Sequence, residues 1–121
     1  MKKKTAFAAL FLLVVMLFQF LPAPQTAAAA TTCDWAQFVA DVTIPDGTVF
    51  KPADSFNKTW RLKNIGTCTW STDYSLAFAS SDPLGAPASV KLTKSVAPGA
   101  TIDVSVTMTA PNAAGTYRSY W

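Results

Sequence analysis

The sequence predicts an all-β fold, an immunoglobulin-like antiparallel β-sandwich, on three observations. Six or seven short segments alternate apolar and polar side chains, as strands with one buried face do. Clusters of Pro, Gly, Asn and Asp separate these segments every eight to twelve residues or so. No segment after residue 30 has the apolar spacing of an amphipathic helix.

The first 30 residues differ from the rest and indicate an export signal. Three lysines at 2–4 precede an apolar run at 6–21, and Ala28–Ala30 supplies the small residues that a signal peptidase prefers. We predict a signal peptide at 1–30, a mature domain at 31–121 and a secreted or cell-surface location. An uncleaved membrane anchor is the alternative, but the run is shorter than the roughly 20 residues of a spanning helix.

Removing the predicted signal changes the charge of the protein. The chain has 10 Lys and Arg and 7 acidic residues, all of them aspartate. Three of the basic residues lie in the signal, which leaves 10 − 3 = 7 against seven aspartates. The mature domain is therefore formally neutral, and its charge gives no indication of a nucleic-acid partner.

The two cysteines predict a disulfide between Cys33 and Cys68. Cys33 precedes the first predicted strand, and Cys68 follows a turn at 65–67. A domain of about 90 residues has a thin core, and an exported chain can form such a cross-link. A reactive thiol and a metal ligand are the alternatives, although a chain without histidine is poor in zinc ligands.

The first two predicted strands cover 38–44 and 56–64. Phe38, Ala40, Val42 and Ile44 alternate with polar or smaller residues, and the turn at 45–48 follows. A brief pairing is expected at 49–50. The strand at 56–64 has an apolar face, formed by Phe56, Trp60 and Leu62. Its opposite face is polar and basic and is formed by Asn57, Thr59, Arg61 and Lys63.

Further short strands are predicted at 68–70, 74–78, 90–92, 101–109 and from 116. Proline-containing loops at 82–87, 97–99 and 111–115 separate the later ones, since proline donates no ladder hydrogen bond. Tyr117 follows the last loop and predicts a tyrosine corner, with a plain core tyrosine as the alternative. The chain stops at Trp121, within the last predicted strand. We expect a fragment of a longer protein or a domain completed by another chain, and we favour the fragment.

The segment FNKTWRLKNIGTCTW at 56–70, with DVTIPDGTVF before it and VAPGATIDVSVTMTAPNAAGTYRSYW after it, carries a family resemblance. It resembles the four-tryptophan Ig-like domain known from the central region of an autophagy cargo receptor family and from exported bacterial proteins. The spacings K-x-W-R-L-K-N-x-G-x-x-x-W and A-P-x-x-x-G-x-Y-x-x-x-W occur in order, and the resemblance covers Cys33 to Trp121.

The resemblance implies an Ig-like sandwich that serves protein–protein recognition. It matches three family tryptophans to Trp60, Trp70 and Trp121, which we expect in the structural core with Tyr117. The family's fourth tryptophan has no counterpart, and Trp35 lies outside the pattern. Autophagy does not carry over, because a signal peptide replaces the rest of the receptor.

The composition argues against an enzyme. Without histidine, the usual Ser-His-Asp, Cys-His and His-metal sites are excluded, and without glutamate a carboxylate pair would need two aspartates. The aspartates sit at predicted turns or outward positions, where solvation explains them. We therefore expect no catalytic residue, metal or cofactor.

These observations predict a non-catalytic, exported Ig-like module for protein–protein interaction or surface spacing. The alternative is a carbohydrate-binding module of a larger secreted or cell-wall protein, which would use exposed aromatic side chains, with Trp35 as the best candidate. The polar face of 56–64 is a second candidate docking surface, for which ordinary solvation is the alternative. The binding residues are not assigned by the sequence.

Overall fold

Seven strands form the regular structure of residues 32–121, the part of the chain that the computed structural model describes. The predicted signal peptide lies outside these residues. Within them, no helix is long and apolar enough to span a membrane. The strands, in chain order, are β1 (Ala36–Asp41), β2 (Ser55–Asn64), β3 (Ser75–Ala77), β4 (Ser80–Ser81), β5 (Ser89–Lys91), β6 (Thr101–Thr109) and β7 (Ser119–Tyr120).

Every strand pair is antiparallel, and the fold is the predicted Ig-like antiparallel β-sandwich. The largest sheet has the order β1-β2-β6, while β3 pairs with β5 and β4 pairs with β7. The apolar face of β2–β6 packs toward the shorter strands. Because one face of each long strand is apolar, burial of these faces against each other drives the two layers together.

The core forms where β6 faces the segment between Trp70 and Val96. The alternating burial of β6 fits its predicted pattern, since Ile102, Val104, Val106 and Met108 are all buried. Trp70 lies against Ile102 and Val104 in one cluster, and each such side chain contributes about 1.5–3 kcal/mol when fully buried. The other members of the cluster, or residues packed against it, are Leu62, Leu76, Val90, Leu92 and Val96.

Strand β1 departs from the predicted pattern. The alternation expected from 38 to 44 is interrupted by a bulge between Phe38 and Ala40, and the strand ends at Asp41. Because a bulge sets two residues opposite one, the side chains beyond it change faces. Asp41 therefore lies opposite Trp60, on the inner side of the sheet, rather than in solvent. The prediction of an even first strand with an outward Asp41 was wrong.

Two other predicted strands are absent from the described residues. No strand forms at 49–50, and the segment 68–70 contributes only an isolated bridge between Trp70 and Val96. The carbonyl groups of Cys68 and Val96 accept hydrogen bonds from the side-chain amide of Asn64, at 2.8 and 2.9 Å. The Asn64 amide thus satisfies the Cys68 carbonyl and shares the Val96 carbonyl, which also accepts the backbone N–H of Trp70 at 3.0 Å.

Asn64 and Gly66 hold the turn that follows β2. Asn64 is fully buried, and its side-chain oxygen accepts the N–H of Gly66 at 3.0 Å. The backbone of Gly66 runs directly against the N-terminal segment, where a Cβ atom would lie 2.2 Å from the carbonyl oxygen of Cys33 and 2.8 Å from the nitrogen of Trp35. Only glycine fits this approach, because backbone atoms on both sides cannot move independently.

We expect Gly66→Ala to lower the free energy of unfolding by about 2 kcal/mol, the range of overpacking in a tight site. The matched control is Gly47→Ala, since a Cβ at Gly47 meets no atom within 4 Å, although its φ of +83° adds local strain. Urea unfolding followed by tryptophan fluorescence measures both variants. Equal stability of Gly66→Ala and the parent protein would contradict the close approach.

Candidate functional site

The predicted site residues occupy different parts of the fold. Cys33 and Cys68 are joined by a disulfide. Trp70 is in the core cluster, whereas Trp60 and Trp121 are half-buried, with their ring centres 6.1 Å apart. These two rings form an aromatic group with Phe78, whose ring meets that of Trp121 edge-on at 5.8 Å.

Tyr117 makes the predicted tyrosine corner. Its hydroxyl donates a hydrogen bond to the carbonyl oxygen of Ala113 at 2.8 Å, four residues earlier in the connection. The side chain is half-buried, and the bond fixes the loop that leads into β7. Together with Trp60 and Trp121, Tyr117 has a structural role in positioning β7.

Exposed apolar side chains concentrate around β1. Six of the eight large apolar side chains that are exposed in the described chain lie on β1 or beside it. Trp35 and Phe38 are 55% and 58% exposed, well above what core residues of this size show. The six residues, called the β1 patch below, are Trp35, Phe38, Val39, Val42, Ile65 and Tyr74.

The position of β1 explains the patch. In the sheet order β1-β2-β6, β1 has a neighbour on one side only, so its other edge is unpaired within residues 32–121. Edge strands usually carry lysine or proline that discourages pairing with another chain. The sequence of β1, AQFVAD, contains neither, and its protective features lie toward its C-terminal end, where the bulge between Phe38 and Ala40 is followed by the inward-pointing Asp41. Within residues 32–121, the part of this edge that precedes the bulge therefore has no pairing partner and carries no charged side chain.

A cleft opens beside the N-terminal end of β1. It has a volume of about 210 Å³, and Trp35 and Tyr74 stand at its rim while Leu62, Trp70, Leu76 and Leu92 line its floor. The hydroxyl of Tyr74 donates to Asp34 Oδ1 at 2.9 Å. This hydrogen bond raises the pKa of Tyr74, because loss of its proton would place a second negative charge beside the carboxylate. We call this the Trp35 cleft.

A second depression, of about 380 Å³, lies among the loops around Pro83, Leu84 and Pro111. Its lining contains no aromatic side chain, and backbone bonds such as Thr109 N–H to the Leu84 carbonyl cross the same region. The polar groups of this second depression are used in joining loops. The Trp35 cleft is therefore the better candidate for a ligand.

The polar face of β2 is occupied by contacts with β6. Thr59 bonds Ser105 at 2.8 Å, and Thr107 donates to Asn57 at 2.7 Å. Arg61 makes two parallel bonds to Asp103, at 2.7 and 2.8 Å. These cross-strand pairs stabilise the sheet, and they leave fewer free polar groups for a partner than the sequence pattern alone predicts.

The Arg61–Asp103 pair gives a pH-dependent prediction. The hydrogen bonds from Arg61 lower the pKa of the Asp103 carboxyl below its ordinary value. A carboxyl with a lowered folded pKa adds stability above its unfolded pKa and loses it as the pH falls through the folded pKa. We expect Asp103→Asn to lower the urea midpoint slightly at pH 7, with the difference disappearing near pH 2 and shrinking in high salt. A difference that persists at pH 2 would contradict this assignment.

The structure also reveals a polar site that the sequence analysis missed. Lys58 is buried, and its ammonium donates to Asp41 and to the carbonyl oxygen of Ile44. It also lies 5.4 Å from the ring centre of Trp60, within cation–π range. Lys58 shares its strand parity with Phe56 and Trp60, and a charge on this apolar face is the sequence signal from which a buried partner could have been predicted. No group of three or more potential metal ligands occurs among residues 32–121.

Comparison with known families gives a match over residues 43–121, to the family described as the Ig-like domain from next to BRCA1 gene. Protein JOKA2 of Solanum tuberosum is 38% identical over 89 residues, and Protein ILRUN of Danio rerio is 37% identical over 84. Next to BRCA1 gene 1 protein of Homo sapiens is 40% identical over 88 residues.

The matched segment is a small part of each relative. It covers 71%, 69% and 71% of this chain, but 10%, 29% and 9% of the potato, zebrafish and human proteins. The family match over residues 43–121 includes strands β2 to β7. The similarity therefore concerns one domain that occurs within much longer proteins.

Proposed function

The chain belongs to the family of the Ig-like domain from next to BRCA1 gene, and from this membership we propose that it is a non-catalytic, exported module that binds other proteins. The relatives support a modular role, since the same domain recurs as a tenth to a third of longer proteins of different length. A domain reused in this way functions through its surface, which differs from one protein to the next.

The observation that carries the proposal is the β1 patch. Monomeric soluble domains seldom group large apolar side chains on one exposed strand, and such groups mark interaction sites. Here Phe38 lies on the edge strand and Trp35 directly precedes it, and both side chains are more than half exposed. Aromatic side chains of this kind supply much of the binding energy at protein interfaces.

The charged groups favour binding over catalysis. Lys58 is paired with Asp41, Arg61 with Asp103, and Asp34 accepts the Tyr74 hydroxyl. Each of these contacts joins two parts of the fold. None places a base beside a nucleophile, which is the arrangement that covalent and acid–base catalysis require.

Export is the second part of the proposal. The Lys-rich start and apolar run at 1–21, followed by Ala28–Ala30, support cleavage by a signal peptidase. The Cys33–Cys68 disulfide supports an oxidising destination, because cytosolic thiols are kept reduced. Intact-mass and N-terminal analysis of the protein recovered outside the cytoplasm should give a chain starting at Thr31. Recovery of the full chain with free thiols from the cytoplasm would overturn this part.

To test protein binding, the full chain is immobilised and exposed to extracytoplasmic proteins, and captured proteins are identified by cross-linking and mass spectrometry. The heat-unfolded chain, immobilised in the same way, is the control. We expect saturable capture of one or a few proteins by the folded form only. An oligosaccharide array and polysaccharide titrations run in parallel, because a sugar ring stacked on Trp35 would quench its fluorescence. Saturable sugar binding that Trp35→Ala abolishes, with no captured protein, would overturn the proposal in favour of carbohydrate binding.

A further inference from the structure

We propose that the open edge of β1, together with the Trp35 cleft, binds an extended segment of a partner protein as an additional strand. One apolar side chain of that segment enters the cleft, and a basic side chain lies beside Asp34. This inference rests on the proposed function as a protein-binding module and names the surface and the chemistry of the partner.

The first argument is the backbone of β1. A strand at the end of a sheet presents unpaired N–H and C=O groups, which an extended peptide can join. One edge of β1 pairs with β2 from Ala36 to Asp41, so the opposite edge of the same six residues faces outward. Neither lysine nor proline protects it, and the bulge lies beyond Phe38, so the edge from Ala36 to Phe38, beside the cleft, is regular. The backbone edge thus supplies affinity that depends little on the sequence of the partner.

The second argument is the cleft, which supplies specificity. An added strand would continue the sheet, so the side chains on one of its two faces would point toward the interior of the sandwich. The inward-facing side chains of β1 and β2 have the same direction. The Trp35 cleft opens on this side, with Leu62, Trp70 and Leu76 at its floor. Its volume of about 210 Å³ and apolar lining suit a single aliphatic side chain of the partner.

The third argument is charge. Asp34 lies at the rim of the cleft, and its side-chain partner there is the neutral hydroxyl of Tyr74. Among residues 32–121, no lysine or arginine lines the cleft, so no basic side chain of this part of the chain balances the carboxylate charge there. Charge complementarity therefore selects a partner with Lys or Arg two positions from the buried apolar residue, because residues i and i+2 share a face.

The same features disfavour a second copy of this chain as the occupant. Residues 34–42, which form β1 and its flanks, contain Asp34 and Asp41 but no basic residue. A symmetric pairing of two β1 edges would bring no cation to either cleft.

The test uses synthetic heptapeptides, blocked at both ends, as probes. The basic probe is TKVLVKT, in which the leucine and both lysines share one face, and the acidic probe TEVLVET is its matched control. Two further versions of the basic probe are N-methylated at alternate residues, one for each edge, to remove the ladder donors. Binding is followed to millimolar concentration by tryptophan fluorescence and by amide NMR shifts of the full chain.

We expect saturable binding of the basic probe, with shifts confined to 34–42, Leu62 and Tyr74. One N-methylated version should bind much more weakly than the other. The affinity of the basic probe for the Asp34→Lys variant should be at least about threefold lower than for the parent chain, because an exposed ion pair is lost. The affinity of the acidic probe should rise, because the charge at position 34 is reversed. Trp35→Ala should weaken both probes, whereas the control Val49→Ala, at an exposed apolar residue outside the patch, should change neither.

Three results would overturn the inference: no saturable binding by the basic probe, equal binding of both probes to the parent chain, or shifts outside 34–42, Leu62 and Tyr74. The same variants separate this inference from the proposed function. If Asp34→Lys and Trp35→Ala capture their protein partners as well as the parent chain does, the module binds proteins through another surface. If the parent chain captures no protein, the proposed function fails whatever the probes show.

Discussion

Replacement of both Cys33 and Cys68 by serine is expected to lower the free energy of unfolding by about 4 kcal/mol. The disulfide closes a loop with a sequence separation of 35 residues, and its loss restores the conformational freedom of that loop in the unfolded chain. A small domain has only about 5–15 kcal/mol of stability in total, so the change is large. Urea unfolding of the parent and the double variant, monitored by fluorescence, measures it.

The structure predicts where the effect is felt first. The carbonyl oxygen of Cys33 accepts the N–H groups of Thr67 and Cys68, both at 3.0 Å, so the disulfide reinforces a backbone contact beside Gly66. Amide exchange should accelerate at 32–41 before the rest of the domain. Reduction of the parent protein is the control, since it should reproduce the loss seen in the serine variant. An unchanged urea midpoint in both samples would contradict the stabilising role.

Lys58→Met is the second large effect, with an expected loss of about 3 kcal/mol. The substitution keeps the length of the side chain but leaves the Asp41 carboxylate without its partner, on the inner side of the sheet. It also removes the donor to the Ile44 carbonyl, which a φ of 53° at Ile44 turns toward Lys58. Removal of one member of a buried pair is costly because the remaining charge is desolvated.

Two controls separate the charge effect from general disruption. Lys63→Met changes a lysine on the opposite face of the same strand and should alter stability by no more than about 0.5 kcal/mol. The double variant with Lys58→Met and Asp41→Leu should recover most of the loss, because an apolar pair replaces the ion pair without an unpaired charge. A double variant that is less stable than Lys58→Met alone would show that the pair is required in itself.

The Lys58–Asp41 pair also bears on the candidate interaction surface. It fixes the C-terminal end of β1, and the disulfide fixes the segment just before its N-terminal end. Both contacts hold the edge strand against β2, so that its outer edge stays extended and accessible. A preformed edge binds a peptide more tightly than a flexible one, because less conformational entropy is lost on binding.

Prediction from the sequence was most accurate where apolar and polar residues alternate strictly. The pattern from Ile102 to Met108 predicted a buried face that the structure contains residue by residue. The turn residues predicted most of the strand boundaries, and Tyr117 predicted a corner that its 2.8 Å bond to Ala113 confirms. Such features are local, since side-chain direction along a strand follows from backbone geometry alone.

The candidate site was predictable only in part. Trp35 was singled out because it lay outside every strand pattern, and it is exposed at the rim of the cleft. Phe38 was expected to face the core, yet it is 58% exposed. Its exposure depends on β1 being an edge strand, and a single strand's sequence does not state which neighbours it has.

By itself, the sequence determined the fold class, the family and the pairing of its two cysteines, because these depend on alternation, spacing and a count of residues. The tertiary structure alone decided that Asp41 turns inward to Lys58, that Gly66 admits no side chain, and that one edge of β1 has no partner within residues 32–121, beside an apolar cleft. Each of these depends on segments distant in the chain. A bulge, a close backbone approach and a vacant strand edge arise from how strands meet, which local side-chain preference does not encode.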